Sequence, residues 1–230
     1  MKRIFWMLCG LSLALLAWGF YDAIFVAPVE ATMGQLYRIF YWHVPIAISG
    51  EIFPYVNMLA SIGVIFLRSK KPYLALKLDA LAVASAEITA LYVGLTLATG
   101  MMWARPAWGI WWAWDARLTS ALLLFLLYVS YLLVRRFSAS GNSMVIAAVL
   151  SIFAGIDVPI VFMSIRWWRT QHPAPVLTGD GSLDASMWPA ILWNLVAWFF
   201  WGCTLIWARY AIVRREQQIA EHEALTALEA

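Results

Sequence analysis

Six long apolar runs constrain this chain more than any other feature. They lie at about 4–26, 46–67, 79–101, 118–134, 144–165 and 188–209. Crossing a bilayer takes about 20 mostly apolar residues, and backbone groups in lipid must find partners within the protein. Only helices or a closed barrel meet that demand. Barrel strands alternate apolar and polar residues, and these runs do not. The sequence therefore predicts an all-α fold, a polytopic bundle of six transmembrane helices. The fourth run is short unless the tryptophan-rich stretch before it completes the span. Residues 1–230 read as one membrane domain, with 210–230 a short amphipathic tail. Composition agrees: 63% of residues are apolar and 13% charged, where soluble domains carry about 25% charged residues.

The apolar run after Lys2 and Arg3 exceeds the core of a cleaved signal peptide, and no A-x-A site follows, so it reads as a retained first helix. Basic residues set the expected orientation. Eleven of the sixteen fall on one side: Lys2, Arg3, Arg68, Lys70, Lys71, Lys77, Arg135, Arg136, Arg209, Arg214 and Arg215. Both termini are expected in the cytoplasm, with segments 27–45, 102–117 and 166–187 facing outward. The net charge of +3 reflects this sorting and gives no nucleic-acid signal. Cys9 and Cys203 lie within spans, form no CxxC motif and read as packing residues.

Nine of fifteen tryptophans fall at the expected outer side: Trp42, Trp103, Trp108, Trp111, Trp112, Trp114, Trp167, Trp168 and Trp188. Interfacial aromatic belts occupy both sides of a membrane, so a belt does not explain the asymmetry. The densest stretch is WGIWWAWDARLTS, residues 108–120. With Pro106 at a first helical position, a helix through this stretch would align Trp108, Trp111, Trp112 and Asp115 on one face, while Trp114 and Arg117 project elsewhere. Gly109 would leave that surface open to something flat. The expectation is an aromatic platform edged by a carboxylate, suited to a large planar ligand.

His43 closes YRIFYWHVP before the second span, and His172 lies in RWWRTQHPAP after the fifth. Both read as loop residues on the outer side, whereas His222 belongs to the polar tail. Too few outward histidines and cysteines exist for a closed zinc site. Iron in a porphyrin needs only one or two protein ligands, so two histidines beside a flat aromatic surface point to haem. Its propionates would suit guanidinium partners. Arg38, Arg105, Arg117, Arg166 and Arg169 stand at a suitable depth, and Arg117 falls within the tryptophan-rich stretch. Within the spans, Asp22, Glu51, Glu87 and Asp157 read either as a polar passage or helix-pairing network, or as protonated carboxyls bonded to neighbouring helices; the second is favoured. Pro54 and Pro159 are expected to bend the second and fifth helices.

WGIWWAWDARLTS, YRIFYWHVP and WWRTQHP together resemble the cytochrome c maturation protein C (haem exporter protein C) family, within the haem-handling membrane proteins that share a tryptophan-rich signature. The resemblance spans essentially the whole chain. It implies that haem b is held non-covalently and transiently at the periplasmic face of a bacterial inner membrane. His43 and His172 would be the axial iron ligands. Trp108, Trp111, Trp112, Trp114 and Asp115 would contact haem and a haem chaperone, and Arg117 joins them as a binding residue. The implied partners are that membrane-anchored chaperone (cytochrome c maturation protein E), the ABC transporter pair (maturation proteins A and B), a further small membrane component (maturation protein D) and the lipid bilayer.

Two other classes remain open. A transporter could move haem or another apolar solute across the membrane, with Glu51, Glu87 and Asp157 lining a path. Against it, the chain lacks a nucleotide-binding G-x-x-x-x-G-K-[ST]. A quinone-linked cytochrome b would carry its histidines inside helices, whereas both are expected here in loops. No nucleophile–base pair or catalytic metal set is apparent, so the sequence establishes no chemistry by this chain; the resemblance implies that covalent haem attachment occurs on the chaperone.

Overall fold

A computed structural model describes residues 2–137, 143–177 and 183–229. Six helices carry the chain: α1 (Lys2–Tyr21), α2 (Phe40–Leu67), α3 (Pro72–Trp108), α4 (Ala116–Phe137), α5 (Ser143–Trp167) and α6 (Trp188–Glu229). No strand occurs among the described residues. All six helices are long and apolar enough to cross a membrane. The chain is thus a multi-pass, all-α membrane protein. Residues 178–182, within the expected third outward segment, lie outside the described residues.

α2 and α3 form the central pair. α4 and α5 pack on one side of it, α6 on the other, and α1 lies outermost against α6. Small residues on α3 allow the close central approach: Ala75, Ala80, Ala82, Ala84, Ser85, Ala86 and Thr89 are all buried. A buried polar node then fixes four helices in register. Asn57 on α2 donates to the Ala82 carbonyl of α3 at 2.7 Å and accepts from Tyr128 on α4 (3.3 Å) and Ser151 on α5. In lipid-surrounded cores packing and interhelical hydrogen bonds carry association, and this node supplies both.

Several boundaries differ from expectation. α2 begins at Phe40 and includes Pro45, so His43 lies in its first turn rather than in a loop. Pro45, the sixth residue of α2, lies inside the helix and leaves the Tyr41 carbonyl without its usual i+4 donor. The helix expected to start at Pro106 does not form. α3 runs through Pro106 to Trp108 and stops at Gly109, whose φ of 78° is left-handed. Gly109 donates its N–H to the Arg105 carbonyl at 3.0 Å, as a glycine past a helix end does. Residues 109–115 are then irregular, and α4 starts only after Asp115. One aromatic helix face therefore does not exist. Pro54 and Pro159 lie inside helices that continue through them, and α6 extends unbroken through most of the expected tail.

The intramembrane carboxylates also divide differently. Glu51 and Glu87 each lie against an arginine of another helix. Glu51 pairs with Arg117 of α4 at 3.1 Å, and Glu87 holds Arg209 of α6 at 2.5 and 2.9 Å. A third pair, Asp79–Arg135 at 2.8 Å, is reinforced by Gln217 and has no counterpart among the expectations from sequence. Asp22 and Asp157 each keep one buried oxygen without a partner among the described residues. Glu51 and Glu87 thus each link two helices of the bundle.

Candidate functional site

Both unusual histidines lie at the end of the bundle opposite the chain termini, as alternating helices require. His43, on the first turn of α2, reaches α3, where its Nδ1 stands 2.8 Å from Thr99 Oγ1. The Thr99 hydroxyl proton is already given to the Leu95 carbonyl at 2.7 Å. The hydroxyl can then only accept from the ring, so His43 carries its proton on Nδ1 and leaves Nε2 as a free lone pair. Gly100 keeps the space beside that ring open, since a Cβ there would lie 3.2 Å from His43 Cε1.

His172 reaches the same state by a local route. Its Nδ1 stands 2.9 Å from the Pro173 carbonyl, which can only accept. The proton is again on Nδ1 and Nε2 is again free. Burial, followed by the Arg117 charge, holds the His172 pKa below the ordinary value, against smaller raising effects of the Pro173 carbonyl and Asp115. Neutral imidazole is therefore the form at neutral pH. The two rings lie within electrostatic reach of each other, and Arg117 within reach of both. The structure thus brings His43 and His172 together from segments 129 positions apart in the sequence (172 − 43).

Asp115 is the hinge of this arrangement. Its Oδ1 accepts the Leu118 N–H at 2.9 Å, capping α4, the role for which a short carboxylate at a helix start is suited. Its Oδ2 accepts the Thr170 hydroxyl at 2.5 Å and the Gln171 N–H at 2.9 Å. Arg117, two residues on, donates to the Val161 carbonyl of α5 at 2.5 Å and to Glu51 of α2 at 3.1 Å. The first turn of α4 therefore ties together the helix carrying His43, the end of α5 and the loop carrying His172.

Six of the tryptophans pack edge to face in three pairs. Trp103 meets Trp108 at 5.1 Å and 82°, Trp112 meets Trp114 at 5.6 Å and 75°, and Trp167 meets Trp168 at 5.7 Å and 83°. Such edge-to-face pairs are favourable and leave ring faces for other contacts. Trp111 and Trp114 are 58% and 77% exposed, while Trp112 buries its Nε1 without an acceptor among the described residues. A buried indole N–H without a partner is a donor available to a ligand acceptor.

The remaining arginines are unequal. Arg38 donates to the Ala23 and Ala27 carbonyls and to Gln35, holding the segment after α1. The Arg105 guanidinium bonds the Gly109 carbonyl at the end of α3. Arg166 covers the Phe162 ring, and Arg169 is exposed; neither makes an ion pair among the described residues. His222 is exposed on α6 and far in sequence from the site. Thr99 and Thr170 do not stand out in the sequence. A threonine in an apolar helix or a polar loop carries no signal until its partner is placed beside it. No group of three or more His, Cys, Asp or Glu able to hold a metal ion occurs among the described residues. What the site offers is two imidazole lone pairs, edge-packed indole pairs, a spare indole N–H and a guanidinium.

Comparison with known proteins bears on the same chemistry. Residues 1–225 match the model of the heme exporter protein C family. A heme exporter protein C of Bradyrhizobium diazoefficiens is 37% identical over 93% of this chain and 80% of its own length. That of Escherichia coli K12 is 35% identical over 82% of this chain and 73% of its own. A mitochondrial protein of Marchantia polymorpha, named as cytochrome c biosynthesis ccmC-like, is 36% identical over 87% of each. The chain belongs to the heme exporter protein C family.

Proposed function

We propose that this heme exporter protein C family member holds haem as transient cargo at the histidine end of the bundle and presents it to a membrane-anchored haem chaperone. A role in haem handling for cytochrome c biogenesis comes with the family. The observation that carries the finer reading is the pair of neutral histidines with free Nε2 atoms, brought within reach of each other beside exposed tryptophans.

Each residue has a task. His43 and His172 supply the two axial nitrogens that iron in a porphyrin takes from a protein. Thr99 and the Pro173 carbonyl take the Nδ1 protons, which fixes each ring's tautomer and strengthens Nε2 as a donor. Trp108, Trp111, Trp112 and Trp114 offer apolar ring surface to the macrocycle, and Trp112 Nε1 with Arg117 offers donors to its propionates. Asp115 orients the loop between them. Haem b, bound without a covalent link, brings the reactive vinyl groups; bond formation falls to the chaperone, cytochrome c maturation protein E. Maturation proteins A, B and D of the same system are the expected neighbours, in a bacterial inner membrane with the site on the periplasmic side. The eleven basic residues toward the other side support that orientation. The chain is one membrane domain.

The test is the absorption spectrum of the purified protein beside His43→Ala, His172→Ala and Trp112→Ala. A haem band that weakens or changes ligation in either histidine variant supports the reading. A band indifferent to both rules it out. Haem transfer to the chaperone should fall in parallel. Replacing Thr99 by valine leaves the His43 Nδ1 proton without an acceptor and is expected to weaken haem retention about tenfold or more, since partners behind a metal ligand are commonly worth about 10–100-fold. Thr99→Ser should retain most of it. Equal retention in all three proteins, measured by haem titration, would show that His43 needs no such support.

A further inference from the structure

From Trp168 to Ala174 the chain has no regular structure and most side chains are exposed, so packing does little to hold this stretch. Yet it carries His172. Its tie to the bundle is a short run of hydrogen bonds. Asp115 Oδ2 accepts the Thr170 hydroxyl at 2.5 Å and the Gln171 N–H at 2.9 Å. A hydroxyl has one proton to give, and Thr170 gives it to Asp115; its lone pair then accepts the His172 backbone N–H at 3.1 Å. The carboxylate is itself immobile, because its other oxygen caps α4 at Leu118. An unbroken path therefore leads from the first turn of α4, through Thr170, to the backbone of His172.

We infer that Thr170 is a positioning residue for His172, with Asp115 as its anchor. Thr170 touches neither iron nor ring; it fixes where the His172 backbone stands and thus where the free Nε2 is presented. Both acceptor oxygens of Asp115 are engaged in this task, so the signature carboxylate acts on haem through the histidine loop rather than by contact. The inference rests on the haem reading above. It also explains the choice of aspartate over asparagine: an amide could still cap α4, but its nitrogen could not accept from Thr170 and Gln171.

The experiment compares the full-length protein with Thr170→Val, Thr170→Ser, Asp115→Asn and His172→Ala, and combines Thr170→Val with each histidine variant. Two readouts are used: amide hydrogen exchange of the 168–172 peptide without haem, and the ligation spectrum and retention of added haem. Hydrogen bonds to a charged acceptor are worth enough that Thr170→Val should speed exchange about tenfold. Haem in that variant should move toward the His172→Ala spectrum, and Thr170→Ser should restore both readouts. Thr170→Val should add nothing in the His172→Ala background but should further weaken His43→Ala. If His172→Ala weakens haem while Thr170→Val leaves exchange and spectrum unchanged, the positioning role is wrong and the haem reading stands. Additive loss in the His172→Ala background also overturns it. If His172→Ala itself changes nothing, both readings fall together.

Discussion

Replacing Arg117 by leucine is expected to destabilise the bundle and to make haem retention fail at a higher pH. The first effect follows from burial. Arg117 and Glu51 side chains are 16% and 18% exposed, and removing one member of a buried pair leaves the other uncompensated at about 3 kcal/mol. The Val161 carbonyl loses its donor as well. The second effect follows from charge. The Arg117 guanidinium lowers the His172 pKa, so its loss raises that pKa. Iron and proton compete for the same Nε2, and ligation fades as pH falls through the histidine pKa. Raising the pKa moves that loss upward in pH. The double variant Glu51→Leu/Arg117→Leu separates the two effects. Removing both charges should recover much of the stability, because no unpaired ion remains, but should leave the pH profile displaced. Unfolding measurements in detergent and a pH titration of the haem spectrum provide the readouts. A single variant with wild-type stability and an unmoved profile would contradict both arguments.

What is legible in the sequence is what local rules govern. Hydropathy locates six spans because each apolar run must be helical in lipid, and the basic residues and tryptophans gather at opposite helix ends. The histidines stand out because so few exist. Local rules fail where tertiary contacts decide. Pro106 reads as a helix start from local preference, but α3 gains by continuing against its neighbours until Gly109 turns left-handed. The stronger signal is Asp115, three residues before Leu118, whose carboxylate caps α4. Likewise Glu51 and Glu87 cannot be matched with their arginines by local pattern, because those lie 66 and 122 positions away. Thr99 and Thr170 are invisible for the same reason. The sequence displays the two histidines, whereas the groups bonded to them are common residues identified only by proximity.

The close seat of α6 against the central pair gives the other large effect. Gly202 of α6 lies over Phe53 of α2 so tightly that an added Cβ would fall 2.4 Å from two of its ring carbons and 3.1 Å from the Tyr92 hydroxyl. Phe53 is held between two aromatic neighbours and borders a cavity of about 400 Å³. It stacks on Phe199 at 5.7 Å and meets Tyr92 edge-on at 5.3 Å, and Tyr92 is held by the Trp198 carbonyl at 2.6 Å. Gly202→Ala must therefore push the Phe53 ring aside or move α6 away from α2 and α3, at a cost of about 1–3 kcal/mol for an overfilled core, and Gly202→Leu should cost more. Gly10 on α1 provides the contrast, since a Cβ there meets nothing within 4 Å. Both glycines are helical, so alanine gains about 1 kcal/mol of helix preference at either site. The difference between Gly202→Ala and Gly10→Ala isolates the clash. Unfolding in detergent should rank Gly10→Ala at or above wild type, then Gly202→Ala, then Gly202→Leu. Equal stability at positions 10 and 202 would mean that α6 does not sit this close. Because α6 packs against the same α2 that carries His43, the Gly202 variants should also lose haem more readily, whereas Gly10→Ala should not.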